Sequence, residues 1–171
     1  MSGGGATIIT IETFIAAPAE VCFDLALDVE AHARSAAFSG ERLVEPGKLS
    51  GRLELGDLVA FEGRHLGVRQ RFIARITHVD RPHRFDDEMV QGIFRWLKHV
   101  HEFHPRHGGT LMRDILSWQA PLGPLGQLAD VLFLRRHMQW FVQTKQGHLR
   151  ELAEEQVRSR TRPDPSSAAR P

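Results

Sequence analysis

The stretch Leu97-Lys-His-Val-His-Glu-Phe-His104 places three histidines and a carboxylate within eight residues. Imidazole titrates near neutral pH, ligates metals and moves protons. A carboxylate beside it orients the ring and favours its charged form. Side chains alternate across a strand, so Leu97, His99, His101 and Phe103 share one face, and Lys98, Val100 and Glu102 the other. In the following stretch Thr110, Met112, Asp114, Leu116 and Trp118 share a face, opposite Leu111, Arg113, Ile115 and Ser117. The intervening Arg106-His-Gly-Gly109 suits a tight hairpin. With Pro105 opposite Thr110, Phe103 faces Met112, His101 faces Asp114 and His99 faces Leu116. The large apolar partners select that face as the interior, so two histidines and one carboxylate point inward.

Three chemistries are open to this group. His-x-His plus an acid can bind zinc or iron, but His101 is placed to satisfy Asp114 and no third strong ligand is specified, so no metal site is assigned. A His101–Asp114 pair can work as acid and base. The reading that asks least is a buried, mutually satisfied polar pair that also holds one polar group of a ligand. His104 and His107 fall at the hairpin tip, in water.

Weaker interior candidates lie on neighbouring segments. In Phe85-Asp-Asp-Glu-Met89, alternation turns Asp87 inward with Phe85 and Met89. Buried there, it needs a partner or a proton; at a strand end it touches water instead. His65 shares a face with Phe61 and can reach a cavity mouth. Arg69, Arg71 and Arg75 form a basic outer stripe opposite Phe72, Ala74 and Ile76. No P-loop, GxGxxG, HExxH or GxSxG occurs, so no cofactor is expected.

The elements that position these groups follow from a change of period. Thr7–Ala16 alternates and is β-branched: a first strand. Pro18 opens a helix whose Val21, Cys22, Leu25, Ala26 and Val29 form one face. Asp28–Ala37 is a second short helix or a bend. Arg42–Leu49 is a weak strand. Asp57–His65, Val68–Val79, Arg84–Gln91, Arg95–His104 and Thr110–Gln119 bring the strands to seven, with antiparallel neighbours joined by short loops. Gly123 and Pro124 then open one long helix to about Glu155, roughly 48 Å at ~1.5 Å per residue. Around Met138, residues Val131, Leu134, Phe141, Val142, Leu149 and Leu152 form its sheet-facing stripe. Leu125, Leu128 and Leu132 widen the apolar surface before Arg135. Phe133 and Trp140 lie on the opposite side, a candidate homodimer surface.

Composition narrows the class. The 171 residues suffice for one domain, and 42% apolar content for its core. Twenty-two basic against 21 acidic residues give no electrostatic case for nucleic acid. The single cysteine, Cys22, excludes an internal disulfide and fits a reducing compartment; it reads as a buried, inert thiol. With no signal-peptide pattern and no apolar run near the ~20 residues of a transmembrane helix, a cytoplasmic protein is expected. Residues 1–6 and the Arg-, Ser- and Pro-rich 156–171 are expected to be disordered, flanking one domain over 7–155.

Several local patterns resemble a known superfamily. They are Ile8–Pro18, an opening strand ending in Ala-Pro; Gly67-Val-Arg-Gln-Arg with Ile76-Thr and Asp80-Arg-Pro-His-Arg-Phe; His99-x-His-x-Phe103; Gly109-Thr-x-Met-x-Asp114; and Pro121-Leu-Gly123. Together with the element order they resemble the START-like (SRPBCC) helix-grip proteins, in particular the bacterial polyketide cyclase/dehydrase-like ligand-binding branch. The resemblance spans about Thr7 to Glu155. It implies an α+β fold in which a seven-stranded antiparallel sheet curves around the C-terminal helix, enclosing an apolar cavity. It carries no catalytic pattern onto these residues.

The expected cavity lining on strands is Phe61, His65, Phe72, Ile76, Phe85, Asp87, Met89 and Trp96, then His99, His101, Phe103, Met112, Asp114, Leu116 and Trp118. On the helix it is Leu128, Val131, Leu134 and Met138. The expected function is non-catalytic binding or carriage of a hydrophobic small molecule: a lipid, a quinone or a polyketide-like compound. The alternatives are a cofactor-independent cyclase, dehydratase or hydrolase using His101 and Asp114, and a structural or partner-binding domain whose cavity is filled by its own side chains.

Overall fold

The computed structural model describes residues 5–65 and 67–161, with His65 described by its backbone alone. Residues 1–4 and 162–171, on which parts of the expected disordered ends fall, lie outside the described residues, as does the His65 side chain.

The chain forms β1 (Thr7–Ile15), α1 (Ala19–Leu27), α2 (Val29–Ala36), β2 (Arg42–Leu43), β3 (Leu58–His65), β4 (Val68–Asp80), β5 (Arg84–Gln91), β6 (Trp96–Arg106) and β7 (Gly109–Gln119). It closes with α3 (Gly123–Ala129), a π-helical turn at Asp130–Leu134, and α4 (Arg135–Thr161). The strands make one antiparallel sheet in the order β1-β7-β6-β5-β4-β3-β2. This is the expected α+β helix-grip architecture.

Three local differences have physical causes. β2 is two residues long rather than a strand to Leu49, because Pro46 lacks an N–H for the ladder. Val44 and Lys48 keep single backbone bonds to Ala60 and Leu58. The 28–37 segment is a helix, since the Asp28 carboxylate caps it by accepting from the Ala31 N–H at 2.7 Å. The C-terminal helix runs six residues past Glu155, to Thr161.

The largest difference is the π turn. A π turn adds about one residue to the turn, shifting every side chain on one flank by roughly 100° relative to the other. Val131, expected to face the sheet, is 70% exposed, and Leu128 points outward as well. Asp130 turns inward in their place. Its carboxylate accepts from the Trp118 indole at 2.7 Å and from the Thr7 hydroxyl, so two directly paired residues at one end of the β1–β7 pair hold the start of the helix. Gly126 is required in α3, because a Cβ there would sit 1.6 Å from the Pro121 carbonyl oxygen.

Two apolar clusters form the core. One gathers α1, the sheet and the end of α4 through Phe23, Leu27, Phe85, Phe103, Leu149 and Ala153. Phe23 meets Phe85 and Phe103 edge-on, at ring separations of 5.8 and 5.5 Å. The other packs Ile9, Ile11, Leu97, Leu116 and Trp118 against Val142. Half-buried Phe72 touches both clusters. The buried amide of Gln146 accepts from the Thr13 hydroxyl at 2.6 Å, tying α4 to β1.

Candidate functional site: a cavity with an ionised floor

Between the two clusters lies a cavity of about 120 Å³. Its walls include Phe61, Phe72, Phe94, Leu97, Leu116, Leu134, Met138 and Phe141; exposed Ile93 and Arg71 mark its rim. A second cavity of about 30 Å³ lies deeper, against Met112, Leu149 and Gln146. His32, His99 and Lys145 border both.

The β6–β7 hairpin builds the floor. Its register places His101 opposite Asp114, Phe103 opposite Met112 and His99 opposite Leu116, with Pro105 opposite Thr110. Gly108 makes the tight turn by taking φ +80°. The next strand, β5, sets Phe85 beside His101 and Asp87 beside His99.

His101 is clamped between two carboxylates. Its Nδ1 lies 2.8 Å from Asp114 Oδ1 and its Nε2 3.1 Å from Asp87 Oδ2. Carboxylates only accept, so both ring nitrogens donate and the ring is an imidazolium. Burial alone would depress its pKa, but Asp114 and Asp87 overcome this and push it up to about 9. The Phe85 ring stacks on it at 4.2 Å, which adds a cation–π contact. Asp114 is held well below the carboxylate range: burial works against this, but the charge and hydrogen bonds of His101 and His99 prevail.

His99 differs. Burial, and then the His101 charge, lower its pKa against the pull of Asp114, so it is neutral at pH 7. Its Nε2 is buried with no hydrogen-bond partner and stands 3.6 Å from Asp114 Oδ2. Donor atoms of Asp87, His99 and His101 lie within 4.8 Å of one another, close enough to hold a divalent metal after modest contraction and loss of the His101 Nε2 proton.

Two polar side chains at the cavity escaped the sequence reading. Lys145 on α4 and His32 on α2 meet at the cavity wall, Nζ against Nε2. His32 stacks on Phe61 with ring centres 5.1 Å apart and turns Nδ1 toward the Ala26 carbonyl at 3.4 Å. The spacing of Val142, Lys145 and Leu149, one helical face, was the available signal for Lys145.

The expected lining residues divide. Phe61, Phe72, Asp87, His99, Leu116, Leu134 and Met138 border the main cavity. His101, Met112 and Asp114 border the deeper one. Ile76, Phe85, Phe103 and Trp118 are fully buried core. Met89 packs half-buried beside the second cluster. Trp96 is a correction: it is 40% exposed and its indole N–H reaches Gln119, because it belongs to the Lys98 and Val100 face. Leu128 and Val131 are corrections of the same kind, turned out ahead of Leu134 by the π turn. Arg71, expected on an outer stripe, stands at the cavity rim; the β4 bulge at Ile73/Ala74 breaks the alternation there.

No family model and no curated protein sequence matches the chain. Solved structures do. The Zhui aromatase/cyclase from Streptomyces sp. R1128 aligns with a TM-score of 0.73 at 14% identity, over 92% of this chain and 99% of that one. A protein from Thermus thermophilus aligns with a TM-score of 0.71 at 20% identity, over 85% and 95%. The major latex-like protein 151 from Panax ginseng aligns with a TM-score of 0.58 at 12% identity, over 86% and 97%. At these identities the likeness is one of fold, and the fold is the START-like helix grip.

Proposed function

We propose that the chain binds a small, mainly apolar molecule of about one ring, with a polar group turned toward the floor of the cavity. The supporting observation is the cavity itself: apolar, aromatic walls ending on His99, Asp87, His32 and Lys145. An apolar cavity of roughly 150 Å³ holds a benzene-sized guest, so a space of about 120 Å³ suits a ring better than a lipid chain. A quinone or polyketide-like ring fits this description. Burying one ring is worth about 1.5–3 kcal/mol, roughly ten- to a hundredfold in affinity, and the polar floor supplies the rest. A partly open cavity also weighs against the self-filled, purely structural alternative.

Proton-transfer catalysis through His101 and Asp114 is the less favoured reading. His101 donates both its protons to carboxylates at neutral pH, and a base needs a free lone pair. The single, buried Cys22 supports a cytoplasmic setting. Phe133 and Trp140, 66% and 53% exposed, support self-association through that side of the C-terminal helix.

Native mass spectrometry of gently purified protein tests the reading, since a retained guest adds mass. Displacement of an environment-sensitive apolar dye by benzyl alcohol tests it independently. Dye that fails to bind, or binds equally well to a Met138→Trp variant with a narrowed cavity, would overturn it.

A further inference from the structure

Lys48, Lys98 and Lys145 are the chain's three lysines. Two are surface cations in ion pairs. Lys48 lies 2.8 Å from Asp57, and Lys98 lies 3.1 Å from both Asp86 and Glu88. Lys145 sits instead on the inward face of α4, between Val142 and Leu149, and borders both cavities. Among the described residues no carboxylate lies within ion-pair distance of its amine. Its neighbours are the His32 Nε2 and the face of Phe61, 5.5 Å from the amine to the ring centre.

His32 is placed to relay a proton from that amine: burial and the Lys145 charge hold its pKa well below 6.5, so a proton it takes is passed on at once. Its Nδ1–H turns to the Ala26 carbonyl, which leaves the Nε2 lone pair facing Lys145. A lysine amine desolvated in an apolar pocket, with a base beside it, is a nucleophile for carbonyl carbon. The rest of the cavity supplies the shape of the electrophile: the space beside the amine holds about one ring and is walled by Phe61, Phe72 and Phe94.

We infer that Lys145 captures a ring-bearing aldehyde in the main cavity as an imine, with His32 relaying the protons. The inference rests on the proposed use of the cavity as a ligand site. The ammonium passes one proton to His32 Nε2, and the nitrogen lone pair forms a bond to the carbonyl carbon. The displaced C=O electron pair becomes an alkoxide that takes the proton back. A second proton then travels from the nitrogen through His32 to the hydroxyl, which leaves as water while the nitrogen lone pair closes the C=N bond. Aldehyde and protonated amine become protonated imine and water, with charge conserved and no redox change. The water leaves by the rim at Ile93 and Arg71. Burial lowers the pKa of Lys145 despite Glu41, Asp87 and Asp114, whereas hydrogen bonds to carboxylates raise those of Lys48 and Lys98, so of the three lysines Lys145 gives up its proton most readily.

The test incubates the full chain with benzaldehyde and sodium cyanoborohydride at neutral pH, then locates the reduced adduct by intact mass and peptide mapping. Dye displacement by benzyl alcohol, which cannot form an imine, runs in parallel. The expected result is an adduct on Lys145 favoured about tenfold or more over Lys48 and Lys98. It should be lost in Lys145→Met and Lys145→Arg, and formed more slowly in His32→Gln, each checked for folding by circular dichroism. An adduct spread evenly over the three lysines would overturn the inference. So would no adduct while benzyl alcohol displaces the dye, which leaves the cavity reading standing. Tighter displacement by benzoate than by benzyl alcohol, without an adduct, would instead make Lys145 a carboxylate anchor and also overturn it. If neither benzaldehyde nor benzyl alcohol displaces the dye, the cavity reading itself fails.

Discussion

Asp114 Oδ1 stands 2.8 Å from His101 Nδ1, across directly paired positions of β6 and β7, and both side chains are buried. At that distance in a dry interior, the two charges form a single unit: each sets the protonation of the other. Asp87 completes the clamp from β5.

The first prediction concerns that charge. Replacing Asp114 with Asn keeps the shape but removes one of the two anions that raise the His101 pKa to about 9. The His101 pKa should fall, as read from its ring-proton shifts in an NMR titration. An unchanged titration would show that the two groups are not coupled.

Stability should follow the same charge. The folded-state pKa of His101 is raised from 6.5 to about 9, so its contribution is fully present below pH 6.5 and fades as pH climbs through 9. The depressed Asp114 acts oppositely: its contribution is present above pH 3.8 and fades as pH falls below it. Breaking a buried pair costs roughly 3–5 kcal/mol. Urea denaturation should therefore show a large gap between the native chain and Asp114→Asn at pH 6, and a smaller one at pH 9.5. A gap independent of pH would remove ionisation as its cause.

The helix faces make a second contrast. Leu149 is buried against the sheet, and Leu149→Ala should cost about 2–5 kcal/mol. Trp140 is half exposed, and Trp140→Ala should cost no more than about 1 kcal/mol in a monomer. Equal losses would mean that the two faces are not distinguished as described.

Trp140 also bears on assembly. Changing Phe133 and Trp140 together to Asp should shift the sedimentation coefficient toward that of a monomer at high protein concentration. An unaltered concentration dependence would dismiss that surface as an interface.

Much of the hairpin was legible in the sequence because two constraints agreed. A short Gly-containing loop fixes register, and period-two alternation fixes faces. His101–Asp114 follows from them. Trp96 did not need the structure to be excluded; its parity with Lys98 already placed it outside. Leu128 and Val131 could not be placed, because no residue type announces an extra residue in a helical turn. Lys145 and His32 were hidden for another reason. A lysine within an apolar stripe reads as a polar interruption until the opposing helix supplies the imidazole that it meets. The same holds for Phe94, which reaches the cavity through tertiary packing.

The π turn at Asp130–Leu134 has a consequence for how the chain tolerates changes of length. An α-helix with one surplus residue is one deletion away from regularity. Removing Leu132 would let the backbone hydrogen bonds run evenly from Gly123 to Thr161. It would also rotate the upstream half by about 100°, carrying Asp130 away from Trp118 and Thr7 while bringing Val131 round toward the sheet. Most single-residue deletions wreck a helix by breaking its phase. This one would mend the helix and sever its mooring, so the cost would be paid at the β1–β7 edge rather than in the helix that lost the residue.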